Sequence, residues 1–204
     1  ATHASTWTWR AALAALGWLA LHALIAGLGV LQGAGPPPPI VFYLPPTMLL
    51  GVWVVFSAVG ARLATLPLGL LVAAQAFRLP LEAWLHAAYD AGALPVQMTW
   101  SGNNFDVVTG ASAVMLGLLA VRGPLPRWLV AVWNVMGITL LVTVVAIAVM
   151  STPTVLRRFW NEPAVLLPYQ APFNWIVGVH VWTAWVGHLV VFRALLRAEP
   201  KPDA

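Results

Sequence analysis

The chain has 204 residues, a net charge of +4 and only 8% charged side chains, against 61% hydrophobic ones. Soluble domains carry about 25% charge, and a mean hydropathy of +0.85 means more apolar surface than a chain of this size can hide from water. A soluble globular domain, a disordered segment, a coiled coil and a collagen are thereby excluded. The absence of cysteine excludes disulfides, thiolate metal sites and cysteine catalysis.

Six apolar segments follow one another, at 7–31, 40–61, 66–89, 105–121, 128–152 and 173–197. About 20 helical residues cross a hydrocarbon core of ~30 Å, so five segments are long enough and the fourth is marginal. Backbone amides in lipid must be bonded internally, which favours helices, and the period-two alternation of a barrel is missing. The apolar run at 11–31 exceeds the core of a signal peptide and is read as a retained helix. Breakers separate the segments: Gly33, Gly35 and the prolines from Pro36 to Pro39; Pro67; Pro124 and Pro126; and Pro153, Pro163, Pro168 and Pro172 in a long final loop. The expected fold is all-α: one domain over 1–198, an integral membrane bundle of about six transmembrane helices, followed by a polar tail at 199–204.

A pI near 10.4 points first to nucleic acid, but the basic residues are scattered and fit a topology signal, so no nucleic-acid partner is expected. With both termini inside, Arg10, Arg62, Arg122, Arg127, Arg193, Arg197 and Lys201 fall on the inner side and only Arg157 and Arg158 outside. That asymmetry predicts an N-in, C-in chain. Twelve tryptophans support the same frame: Trp7, Trp9, Trp128 and Trp133 are expected near the inner interface, and Trp84, Trp100, Trp160 and Trp175 near the outer one, where an apolar ring with a polar N–H is best solvated.

Ionisable groups inside a span cost about 2.5–3.5 kcal/mol each on insertion scales and need partners. The third segment holds the densest set: Gln75, Arg78, Glu82, His86 and Tyr89. At about 100° per residue they fall within roughly 80° of one another, a continuous polar stripe that must face protein or water. Arg78 with Glu82, and Glu82 with His86, are spaced to touch along the helix, and Pro80 between them predicts a kink. Counted from the outer ends of the spans, His22 lies ~13 Å down, Glu82 and His180 ~10 Å and His86 ~5 Å. Asn103, Asn104 and Asp106 enter from the outer end of the fourth segment and also read as its cap, with Gly102 giving the turn. His188 falls in the inner half near Asn134, a separate and lesser contact.

Histidines and a carboxylate at similar depth on three helices suit a transition metal (Fe, Cu or Zn) or a b-type haem. His22, His86 and His180 would be the ligands, Glu82 a ligand or supporting group, and Arg78 the counter-charge to Glu82 or to a cofactor carboxylate. Gly17, Gly27, Gly178 and Gly187 would let a flat ring approach the backbone. Gln75, Tyr89, Asn103, Asn104 and Asp106 would complete the polar pocket. Arg157 and Arg158 beside Glu162 read as a solvated outer loop with a local ion pair, or as an anion site above the bundle. No P-loop, GxSxG, HxxxH or Rossmann pattern is present.

The run Arg78-Leu79-Pro80-Leu81-Glu82 with Leu85-His86 and Tyr89 resembles a pattern in small bacterial polytopic membrane proteins. So do Gly102-Asn103-Asn104-Phe105-Asp106, Asn134 with Gly137, and Asn161-Glu162-Pro163. The resemblance spans about residues 70–197 and implies a multi-pass protein of the bacterial inner membrane, without transferring an activity, a cofactor or a catalytic residue. The sequence therefore predicts an outer-leaflet His/Glu/Arg pocket serving redox chemistry or metal handling. A small-molecule transporter or binder using the same pocket, with the chain as a homodimer, is the second reading. An accessory subunit of a larger membrane complex is the third.

Overall fold

The computed structural model describes residues 2–32 and 39–197, with side chains for residues 9–32, 39–40 and 42–197. The breaker from Gly33 to Pro38, Lys201, the tail at 199–204 and the side chain of Trp7 lie outside them. The described residues are helical with no strand. The helices are α1 (Thr2–Gly27), α2 (Ile40–Phe56), α3 (Ala58–Leu63), α4 (Leu68–Ala73), α5 (Arg78–Asp90), α6 (Val107–Ala120), α7 (Arg127–Ser151) and α8 (Trp182–Leu195). Four stretches are long and apolar enough to cross a membrane: Trp9–Gly27, Leu68–Asp90, Arg127–Ser151 and Ile176–Leu195. Phe42–Phe56 and Val107–Ala120 are apolar but shorter.

The distribution of side chains is compatible with a lipid surrounding. Leu13, Trp53 and Phe56 are 66%, 67% and 75% exposed, whereas Arg78, Glu82, Asn134 and His188 are 1% exposed or less. Such an apolar exterior would drive aggregation in water, and charges are buried only where they find partners.

Two of the long stretches are irregular. Between α4 and α5 the chain tightens into a 3₁₀ turn at Ala74–Phe77. Pro80 lacks the N–H that would bond the carbonyl of Ala76, so the expected break occurs one turn before the proline. Ahead of α8, Ile176–Val181 winds as a π-helix, which the apolar periodicity does not reveal. α2 stops where Ser57 takes an extended conformation, and its hydroxyl then caps α3 by accepting from the Val59 N–H at 3.1 Å.

α2 packs on α8, α6 on α4 and α5, and α7 on α8. α1 is peripheral and docks on the π-helical segment, where the Trp18 indole N–H donates to the Gly178 carbonyl at 2.7 Å. One end of the bundle is tied by arginines. Arg193 donates to the carbonyls of Val55 and Ser57, Arg127 to those of Leu195 and Arg197, and Arg197 to that of Ala61. Apart from that of Ser57, which also accepts from the Ala61 N–H at 3.0 Å, these carbonyls stand at or just past helix C-termini, the partial negative charge that a guanidinium meets best. At the other end the segment 91–106 folds into the mouth of the bundle, with Leu94, Gln97, Met98 and Thr99 buried. Trp133, expected at an interface, is instead buried and donates to Ser112 Oγ at 2.9 Å.

Candidate functional site

One continuous hydrogen-bonded network runs through the core. It begins at Asn134 on α7, whose Oδ1 lies 2.8 Å from His188 Nδ1 while its amide donates to the His188 carbonyl at 3.1 Å. His188 Nε2 lies 2.7 Å from Arg78 Nη1. A guanidinium can only donate, so Nε2 accepts, and Nδ1–H must donate to Asn134. The imidazole is therefore neutral, in one defined tautomer. Arg78 donates from Nε to Asp106 Oδ2 at 2.7 Å and from Nη2 to Asp106 Oδ1, a bidentate pair. Asn104 Oδ1 accepts from the Asp106 N–H at 3.0 Å, and its amide donates to Glu82 Oε2 at 2.6 Å and to the Met98 carbonyl at 3.1 Å.

This network corrects several expectations. Arg78 pairs with Asp106 across the helix interface, and among the described residues Glu82 has no ion pair. A helical side chain leans toward the helix N-terminus, which takes the guanidinium away from residue 82 toward His188 and the Gly137 carbonyl. Asp106 stands at the N-terminal boundary of α6, yet its carboxylate caps nothing and is engaged by Arg78. Asn104 closes the turn and also holds Glu82. His188 is a full member of the network through Arg78, where a separate contact was expected. Its ring has room because residue 137 is glycine: a Cβ there would stand 2.4 Å from His188 Cε1.

The other histidines are apart. His22 is buried against α2 and the π-helical segment, with Nδ1 2.5 Å from the Tyr43 hydroxyl and its ring over Gly178. Gly178 therefore does admit a flat ring, that of His22, and Gly187 admits the Gln75 amide; Gly17 and Gly27 face open space. His180 is two residues from Gly178, about half a turn, so the segment itself separates it from His22. Its Nδ1 bonds the Trp175 carbonyl at 3.0 Å. His86 lies flat on Trp100, centroids 4.1 Å apart and 12° from parallel, with no bond to Glu82. Among the described residues no three histidine, aspartate or glutamate side chains form a group able to hold a metal ion.

Above the network lies a cavity of about 90 Å³. Its apolar lining includes Leu81 and Leu85 of α5, Leu141, Val144 and Ala148 of α7, Ile40 and Leu44 of α2, and Val165, Leu167 and Val181. Its polar lining is Arg78, Glu82, Asp106, Thr152, Tyr169 and His180. Gln75 is buried outside the cavity lining, its amide against Gly187 and 3.4 Å from the Ala184 carbonyl. Tyr89 packs beside His86, and Asn103 is exposed. In the outer loop Arg157 pairs with Glu162 at 2.7 Å and lies over Trp160, while Arg158 donates to the Arg157 carbonyl. The Arg157 hydrogen bond and the Ala164 N–H hold the Glu162 carboxyl below its ordinary range, and burial pushes the Tyr169 hydroxyl up.

The sequence reading missed Asn174, Gln97 and Ser151. Asn174 is buried and donates to the His22 carbonyl; Gln97 donates to Ser151 Oγ at 3.0 Å. Only Asn174, an amide next to an apolar run, carried any signal. No family model, curated protein or solved structure matches the chain. Fold and site together are those of a helical protein whose apolar helices are compatible with a membrane, with a buried ionic network that borders an apolar cavity.

Proposed function

We propose that the chain is a six-helix protein of the bacterial inner membrane, N-in and C-in, that binds a small amphipathic molecule entering from the outer leaflet. One observation carries this reading: a mostly apolar cavity of about 90 Å³ with a few polar side chains in its lining, Arg78, Glu82 and Asp106 of the buried network among them. Small-molecule sites have that character, apolar walls with a few placed polar groups. The six apolar helices, with Arg62, Arg127, Arg193 and Arg197 gathered at one end, support the membrane frame. The 3₁₀ and π-helical turns that flank the cavity support a binding role, since irregular backbone at membrane depth is tolerated where it lines a cavity. The dispersed histidines favour this reading over a metal or haem centre.

Ala148→Phe would fill the cavity from α7. In lipid nanodiscs, wild-type protein should take up eight-carbon amphiphiles saturably above empty discs, and Ala148→Phe should lose that uptake while its melting temperature stays within a few degrees. If none of n-octylamine, n-octanol and n-octanoate binds the wild type, or if Ala148→Phe binds them unchanged, the cavity is not the site.

A further inference from the structure

The polar groups of the cavity differ in what they have left to offer. Arg78, the one cation among them, is engaged: Nε and Nη2 on Asp106, Nη1 on His188 and the Gly137 carbonyl. Both Asp106 oxygens are taken by the same guanidinium. The Thr152 hydroxyl donates to the Ala148 carbonyl at 2.7 Å. What remains accepts hydrogen bonds. Glu82 is held by one neutral amide, Asn104, on Oε2. His180 bonds a carbonyl through Nδ1, and a carbonyl only accepts, so in the neutral ring Nδ1 carries the proton and Nε2 keeps a lone pair. Only the Tyr169 hydroxyl serves either way.

We infer that the ligand is a lipophilic amine: an ammonium or amine that donates to Glu82 and His180, on an apolar body that fills the aliphatic wall. This rests on the reading that the cavity binds an amphiphile. A carboxylate with no cation bonded to it, in apolar surroundings, is matched best by a cation that brings its own donors. A fatty acid would bring a second anion, with the Tyr169 hydroxyl alone to donate to it and Glu82 to repel it. A phospholipid headgroup would add a phosphate, and the cavity holds no unengaged cation for one. Glu82 and His180 are thus the residues that set specificity.

The test compares n-octylamine, n-octanol and n-octanoate by titration calorimetry in phosphatidylcholine nanodiscs, against empty discs. Octylamine should bind most tightly and octanoate least. Glu82→Gln still accepts the Asn104 bond but loses the charge, and should weaken octylamine about tenfold or more while leaving octanol nearly unchanged. His180→Phe keeps a ring of similar shape, removes the acceptor and should narrow the octylamine preference; it carries the test should Glu82→Gln not fold. Octanoate binding as tightly as octylamine, or an octylamine affinity indifferent to both variants, overturns the amine assignment even if the cavity binds. Failure of all three compounds overturns the cavity reading itself.

Discussion

Asp106→Ala should cost the protein about 3–5 kcal/mol, the effect of removing one partner of a buried ion pair. Asp106 is 2% and Arg78 1% exposed, so the guanidinium would be left buried without its bidentate partner. Arg78→Met should cost a comparable amount by leaving the Asp106 carboxylate uncompensated. The double variant Arg78→Met/Asp106→Leu should recover much of the loss, because apolar groups of similar size replace a buried pair at little net cost. Recovery would be incomplete: His188 Nε2 loses its donor, and an unmet buried acceptor costs about 1–3 kcal/mol. Unfolding followed in mild detergent for the two single variants and the double one gives the coupling directly. Additive losses would mean that the pair does not stabilise the bundle.

Gly110→Val should be nearly as damaging for a different reason. A Cβ at residue 110 would stand 2.4 Å from the Leu79 nitrogen and 2.8 Å from its Cα. What it meets is the backbone of α5, which cannot rotate away as a side chain can, so α6 must move as a body. Overpacking costs typically 1–3 kcal/mol and occasionally more. The displacement would also pull Asp106, four residues earlier, off Arg78. Gly117→Ala should be milder, since its Cβ meets the Ala73 methyl at 2.9 Å. Gly17→Ala is the control: nothing stands within 4 Å, and alanine is the better helix former by up to ~1 kcal/mol. Melting temperatures in the order Gly17→Ala, Gly117→Ala, Gly110→Val, highest first, are expected; Gly110→Val at the wild-type value would show that the helices do not approach so closely.

The helical segments were legible because insulating a backbone from water leaves few options, and the apolar runs mark where that happens. The stripe of Gln75, Arg78 and Glu82 was legible for the same reason, since a polar group in an apolar run has to be buried. Partners were not legible. The i, i+4 spacing placed Glu82 beside Arg78, but Asp106 lies 28 positions on and His188 110 positions on in sequence, and no periodicity within one helix encodes which neighbour faces it. Depth counting put His22, His86 and His180 at similar levels, but level is one coordinate of three. His22 and His180 are separated by the body of the segment between them, and His86 is turned onto Trp100. The π-helical turn left no mark because Ile176–Val181 remains apolar whichever way it is wound.

The arginine ties at the basic end give one set of residues two successive duties. In the proposed N-in, C-in frame, Arg193 and Arg197 would first act as bare charges that keep their end of the chain from being translocated, a duty that depends on sign alone. In the folded bundle the same groups donate to the carbonyls of Val55, Ser57 and Ala61, where α2 gives way to α3 and along α3. Arg193 meets Val55 and Ser57 through the one nitrogen Nη1, a contact that needs two N–H donors and not only a charge. In that frame, topogenesis and final closure of this end would rest on the same side chains, the first through their charge and the second through their N–H donors.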